Sequence, residues 1–403
     1  MVDGAARPGS VLTLSHWPQS PTPRPLARDL SAEIVLDLQR ALRRLDPAPP
    51  PARAGSAPED VLEAAAVAVN RAEAATSDHF DEDGLAALFG LVNPEAALGA
   101  AELLVGVASC GDFGVVRSDV SARICFAIGP LATAEAAAKG EISGGVPGAM
   151  GAGVGRPGTS ELYSAILPRL PELLTYPERF ERCWAEDWAA LLAGRAALEK
   201  GAVTIEEYAD VDLAVVRRLD RPAGGKTPAH ADRPANDHRG GGGDPNGSRL
   251  DGVTGALPVH PAAVHSATSA SRILAFDGEQ CELYFRYVSW VRVVSRRVPL
   301  RPDLGPLALE LSAADPSASP WEENGVGALV ARVRPVTGRT EIDPALIVTT
   351  VRRYLAATPP AWDPFREGSG YIPAGERAGY LPHAPGSPDA ASGRRRSRVR
   401  RRT

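Results

Sequence analysis

An acidic segment with one histidine holds the densest group of potential ligands in the sequence. It reads Ser77-Asp78-His79-Phe80-Asp81-Glu82-Asp83-Gly84-Leu85. Carboxylates this close together repel one another unless a cation or solvent relieves the charge. Because carboxylate oxygens suit hard divalent cations and imidazole suits manganese or another transition metal, the segment is a candidate metal site. The alternative is that the acids only cap a helix that begins near Gly84, where the helix dipole favours negative charge.

Two other positions could add to such a site. Asp112, in Gly111-Asp112-Phe113-Gly114, could supply a further acidic ligand. His16 is followed by Trp17-Pro18, and the proline predicts the end of a short strand at this histidine. We therefore predict a catalytic role for His16, in which it orients a phosphate group or contacts the metal. A histidine with satisfied hydrogen bonds and no chemical role is the alternative.

The His-x-Asp-x-Asp-Gly spacing of residues 79–84 resembles the first motif of the DHH phosphoesterases. The resemblance implies that His79, Asp81 and Asp83 hold manganese or magnesium, and that Asp112 stands for the acid of the second motif. It also implies hydrolysis of phosphoester or phosphoanhydride bonds in a small phosphorylated substrate or nucleotide. The third motif, Asp-His-His, does not occur in the sequence. A non-catalytic protein that binds a ligand or partner on the same scaffold is therefore the alternative function.

A broader resemblance covers most of the regions that we expect to fold. Residues 2–22, 77–91 and 283–311 look like those of an uncharacterised actinobacterial family defined only as a domain of unknown function. This second resemblance implies no activity.

The pattern of predicted elements in the first half of the chain alternates between strand and helix. Apolar residues predict a strand at 11–15, an amphipathic helix at 31–45 and strands at 64–69 and 72–76, with helices from residue 85 onward. This alternation predicts an N-terminal α/β domain over residues 1–220, with a DHH-like parallel sheet. Ligands of such sheets bind at the carboxyl ends of the strands, where His16 and His79 would both lie.

The rest of the chain divides into a linker, a second domain and a tail. Residues 221–250 contain few large apolar side chains and predict a disordered linker. Residues 251–358 predict a smaller α+β domain, with a hairpin turn at Asp277-Gly278 and a helix at 344–357. Residues 359–403 predict a disordered basic tail, whose arginines at 394–402 could make weak contact with nucleic acid.

The composition indicates an ordinary globular protein and excludes several classes. With 403 residues and 44% hydrophobic content, the chain can bury the cores of two domains. A net charge of -5 gives no overall attraction to nucleic acid or anionic membranes. The four cysteines lack the spacing of a metal site and predict free thiols. Since we find no signal peptide and no apolar run of spanning length, we expect a cytoplasmic protein without a membrane partner.

Overall fold

Helices make up most of the first part of the chain. The structure, a computed structural model, describes residues 1–44, 58–139, 157–219 and 256–380. The helix predicted at 31–45 is present as α1, whose apolar side chains Ile34, Val35 and Leu38 are fully buried. The helices of this part are α1 (Ser31–Leu42), α2 (Pro58–Arg71), α3 (Glu82–Val92), α4 (Pro94–Gly99), α5 (Ala101–Phe113), α6 (Asp119–Ala138), α7 (Thr159–Ile166), α8 (Leu170–Thr175) and α9 (Glu181–Glu199).

A six-stranded sheet forms the second part, in the order β1-β2-β3-β4-β7-β6. Its neighbours pair antiparallel except β2 with β3, which pair parallel. The predicted hairpin at Asp277-Gly278 is confirmed, and Gly278 supplies the left-handed conformation of the turn with φ 65°. The strands of this sheet are β1 (Val203–Tyr208), β2 (Leu213–Arg218), β3 (Arg272–Asp277), β4 (Gln280–Phe285), β6 (Trp321–Glu323) and β7 (Arg332–Pro335).

Helices cover the sheet, and a small second sheet lies beside it. On one face, Leu283 packs in a cluster with Leu307 of α11 and Ile347 of α12; on the other, Ile273 packs with Val264 of α10. The second sheet pairs two short strands antiparallel. These further elements are α10 (Pro261–Ala267), β5 (Arg301–Pro302), α11 (Gly305–Ala314), α12 (Pro344–Ala357), β8 (Pro360–Trp362) and α13 (Ala374–Arg377).

The predicted α/β domain with a parallel, DHH-like sheet over residues 1–220 is wrong. Residues 64–69, predicted as a strand, belong to α2, because an alanine-rich run following a helix start signal favours helix over strand. The predicted strand at 11–15 contributes only a single parallel bridge, between Val2 and Leu14. The main sheet is built instead from residues after 202, and its strands β1 and β2 precede the predicted linker.

Some predicted segments lie outside the described residues, and one described helix has the length of a membrane span. The linker predicted at 221–250 and residues 381–403 of the predicted tail are not described, whereas residues 359–380 include β8 and α13. Among the described helices, α6 alone is long and apolar enough to cross a membrane by length and composition. Since 56% of that stretch is buried inside the protein, it also has the character of a core helix.

Candidate metal centre

Hydrogen bonds between three extended segments bring the candidate ligands together. The backbone N–H of Val2 donates to the carbonyl of Thr76 (2.9 Å), and that of Asp3 donates to the carbonyl of Leu14 (3.1 Å). Asp3 makes the second of these bonds, His16 lies two residues after Leu14, and His79 lies three residues after Thr76. The three side chains meet, with Asp3 Oδ1 3.4 Å from His16 Nε2 and Asp3 Oδ2 3.1 Å from His79 Nε2.

The imidazole of His16 is held in one orientation by a backbone carbonyl. Its Nδ1 lies 2.5 Å from the carbonyl oxygen of Asp29, and because a carbonyl only accepts, Nδ1 carries the hydrogen. Nε2 consequently points to the carboxylates, at 3.4 Å from Asp3 Oδ1, 3.7 Å from Asp83 Oδ2 and 3.3 Å from Asp112 Oδ2. A metal-ligating histidine in proteins has this same arrangement of its two nitrogens.

The imidazole of His79 repeats the arrangement with a carboxylate in place of the carbonyl. Its Nδ1 donates to Asp78 Oδ1 at 3.0 Å. Its Nε2 lies 2.8 Å from Asp81 Oδ2 and 3.1 Å from Asp3 Oδ2. Tyr163 fixes the backbone of the same residue, since its hydroxyl donates to the carbonyl of His79 at 2.9 Å.

Asp3 lies between the two histidines and offers one carboxylate oxygen to each. Two groups of side chains therefore have donor atoms spaced closely enough to hold a metal ion, and both contain Asp3: Asp3, His79 and Asp81 form the outer group, and Asp3, His16 and Asp83 form the inner group. The backbone of Asp3 has φ 42°, in the left-handed region that residues with a Cβ seldom adopt. Such strain is concentrated at functional sites, where the surrounding structure holds it in place.

Two acids of the predicted motif also cap helices. Asp81 Oδ1 accepts from the backbone N–H of Gly84 at 2.8 Å, as the N-cap of α3. Asp83 accepts from the backbone N–H groups of Ser31 (2.7 Å) and Ala32 (2.8 Å) at the start of α1. The predicted alternative of helix capping is thus present together with the donor cluster. Asp81 uses one oxygen for each task, whereas Asp83 Oδ2 both accepts from Ser31 and faces His16.

All five residues predicted for the site converge, and one member was missed. His16, His79, Asp81 and Asp83 belong to the two donor groups, and Asp112 of α5 approaches His16 from outside them. Asp3 was not predicted, because nothing in residues 2–4 has the form of a ligand motif. Its position within the first segment of the broader family resemblance is the one sequence feature that pointed to it.

The carboxylates favour positive charge on both histidines of the metal-free protein. Burial alone lowers an imidazole pKa, but the hydrogen bond to Asp3 and the charges of Asp112, Asp83 and Asp3 raise the pKa of His16 to about 9. Against the same burial, Asp81 and Asp3 raise the pKa of His79 to about 12. Burial and the neighbouring charge of Asp3 also raise the pKa of the Asp83 carboxyl. The cluster therefore holds positive charge even without a metal, in the form of protons.

The two groups differ in their access to solvent. The side chains of Asp3, His16, Asp83 and Asp112 are fully buried, whereas that of His79 is 12% exposed. The ring of Trp17 packs against the His79 ring at 4.9 Å between centroids. A molecule from solvent consequently reaches the outer group first.

Gly84 is required by close packing rather than by a turn. Gly84 lies in the first turn of α3 and is not among the described residues with positive φ. A Cβ at this position would lie 2.5 Å from the hydroxyl of Tyr163 and 3.0 Å from Asp81 Oδ1. The missing side chain therefore leaves room for both groups next to the outer donor group.

Comparison with models of known protein families finds a match to a family of unknown function. The model of a family of unknown function, DUF6687, matches residues 1–364. The chain belongs to this family. The matched range contains the whole donor cluster and all three segments of the broader resemblance, so membership of a family of unknown function is confirmed. No curated protein and no solved structure matches the chain.

Proposed function

We propose that this DUF6687 protein is a divalent-metal-dependent hydrolase of phosphoester or phosphoanhydride bonds in a small phosphorylated substrate or nucleotide. The observation that supports it best is the shared orientation of two imidazoles. His16 and His79 both bond Nδ1 to an oxygen acceptor and turn Nε2 toward Asp3. An acceptor behind the imidazole fixes the tautomer and the ring orientation that a metal needs.

The sharing of Asp3 favours a centre with two ions. Each donor group combines one imidazole with two carboxylates, and the Asp3 carboxylate belongs to both groups. Bound divalent ions polarise a phosphoryl group and activate water, and a pair of them suits in-line displacement. We propose manganese or magnesium, and the two imidazoles favour manganese.

The chain's own residues would have distinct tasks in this centre. Asp3, His16 and Asp83 would hold the inner ion, and Asp112 would lie beside His16 as a further acid. For His16 we therefore propose metal binding in place of direct catalysis. His79 and Asp81 would hold the outer ion. Because the outer group is nearer to solvent, the phosphoryl group would arrive there, while Trp17 keeps water from the buried side of His79.

Charge favours an anionic substrate only when cations are bound. Without them, the carboxylates of Asp3, Asp81 and Asp83 would repel phosphate at short range. Binding of a phosphorylated ligand should therefore depend on the metal. A protein that only binds such a ligand would share this property, so turnover has to be measured directly.

The test measures hydrolysis of phosphodiester, nucleotide and polyphosphate substrates by the full chain with and without added Mn(II) or Mg(II). We expect metal-dependent turnover that falls at least about a hundredfold in Asp81→Asn, since several kcal/mol of transition-state stabilisation would be lost. Asp37→Asn is the control, because Asp37 pairs on the surface with Arg28 and Arg40. If no substrate is turned over although metal binds, the protein is the non-catalytic binder.

A further inference from the structure

Tyr287 comes from the second part of the chain and reaches the buried end of the donor cluster. It begins a short 3₁₀ turn, Tyr287–Ser289, that follows β4. Its ring is stacked with that of Trp290 at 5.6 Å and lies 6.4 Å from that of Phe113. Packing on both rings fixes the hydroxyl 3.4 Å from His16 Nε2.

Two oxygen atoms, from Tyr287 and Asp3, lie at ligand spacing from His16 Nε2, while Asp83 Oδ2 lies farther away at 3.7 Å. Donor atoms at about 2.1 Å from a common ion lie about 3.0 Å apart at neighbouring octahedral corners and about 3.4 Å apart in a tetrahedron. The Tyr287 hydroxyl at 3.4 Å from Nε2 falls within this range, as does Asp3 Oδ1 at 3.4 Å. An ion bound by His16 and Asp3 would therefore have the phenol within reach.

A buried guanidinium holds the turn that carries Tyr287. Arg301 is fully buried, and its guanidinium donates to the hydroxyl of Ser289 and to backbone carbonyls such as those of Val326 and Leu329. Within the described ranges it has no carboxylate at ion-pair distance. The bond from Arg301 to Ser289 fixes the short turn Tyr287–Ser289, from which the Tyr287 hydroxyl reaches His16.

We propose that the Tyr287 oxygen is a further ligand of the ion held by His16, so that the second part of the chain completes the inner site. This inference rests on the proposed metal centre.

The test loads the full chain with Fe(III) as a probe, because a phenolate bound to Fe(III) gives a visible charge-transfer band. Iron content is measured in parallel on the same samples. Tyr287→Phe removes only the hydroxyl. Tyr163→Phe is the matched control, since the Tyr163 hydroxyl bonds to the backbone of His79 at the opposite end of the cluster.

We expect the band in the wild type and in Tyr163→Phe, and its loss in Tyr287→Phe with iron still bound. Iron bound by the wild type without a band, or a band that survives Tyr287→Phe or disappears in Tyr163→Phe, would overturn the assignment and leave the metal centre standing. If Tyr287→Phe does not fold, a missing band in iron-loaded wild type or in Tyr163→Phe still overturns the assignment. Failure to bind iron, manganese or magnesium at all would overturn the metal centre and the assignment together.

Discussion

Asp83 accepts a hydrogen bond of 2.7 Å from the backbone N–H of Ser31, so a candidate metal ligand also holds the first turn of α1. The same carboxylate also accepts a hydrogen bond from the backbone N–H of Ala32 and is fully buried. A carboxylate in this position ties the acidic segment to a helix that begins far earlier in the sequence. At Asp83 the acidic segment therefore contributes to the stability of the fold.

Asp83→Asn should destabilise the metal-free protein. The amide keeps one acceptor oxygen but places an NH₂ group against a backbone donor, so the free energy of unfolding should fall by about 1–3 kcal/mol. Urea denaturation in the presence of a chelator measures it. The control Asp37→Asn should differ little from wild type, and equal midpoints for all three proteins would contradict the capping role.

Asp3→Asn should remove both metal positions, whereas Asp81→Asn should weaken only the outer one. The reason is that Asp3 belongs to both donor groups and Asp81 to one. Calorimetric titration with Mn(II) gives the number of ions bound. We expect about two ions for wild type, one for Asp81→Asn and none of measurable affinity for Asp3→Asn. Loss of a single ion in Asp3→Asn would show that the carboxylate is not shared.

Metal affinity should rise with pH, because the metal has to displace protons from the histidines. With the pKa of His16 raised to about 9 and that of His79 to about 12, both imidazoles are protonated at pH 7 in the metal-free protein. Mn(II) binding at pH 7 should therefore release protons, which calorimetry in buffers of different ionisation heat measures. His79→Gln should release fewer. Proton release equal to that of wild type would contradict the assignment.

The stability of the metal-free protein should fall as pH rises, whereas its metal affinity should increase. A folded pKa of about 9 for His16, above the value of about 6.5 in the unfolded chain, stabilises the folded state fully below pH 6.5. This contribution is lost as pH rises through 9. Thermal melts in a chelator should show a falling midpoint between pH 7 and 9, and His16→Gln should show a flatter profile. A wild-type profile as flat as that of the variant would argue against a charged His16.

Gly84→Ala should disturb the outer donor group. The added methyl would lie 2.5 Å from the Tyr163 hydroxyl and 3.0 Å from Asp81 Oδ1, so one of them has to move. We expect Mn(II) affinity to fall about tenfold or more at the outer position. Gly99→Ala is the matched control, since a Cβ there meets nothing within 4 Å. Unchanged titrations for both variants would show that the pocket adapts to the methyl group.

The sequence allowed prediction of local elements better than of their assembly. The amphipathic spacing of α1 and α12 and the turn at Asp277-Gly278 depend on neighbouring residues, and these features were predicted correctly. Residues 64–69 were misread because a run of alanine and valine is compatible with either a buried strand or a helix. The sheet order could not be derived, since β2 and β3 pair across a long stretch of chain.

His16 and His79 lie close together, as predicted, but the predicted structural reason is wrong. His16 and His79 were placed together at the edge of a parallel sheet, whereas hydrogen bonds of single extended segments bring them together. Asp3 could not be found from local pattern, because its importance arises from contacts with residues distant in sequence. The same is true of Tyr287, which meets His16 only in the folded chain.

The wide spacing of the donors along the chain affects when the centre can first form during synthesis. Both donor groups and the helix N–H groups that bind their carboxylates lie before Asp112, which follows only after α3, α4 and most of α5. A divalent ion present in the cell would bind the assembled cluster and not the nascent segments, and it would stabilise the folded chain in proportion to its free concentration. Metal supply would then determine how much of the newly made protein persists.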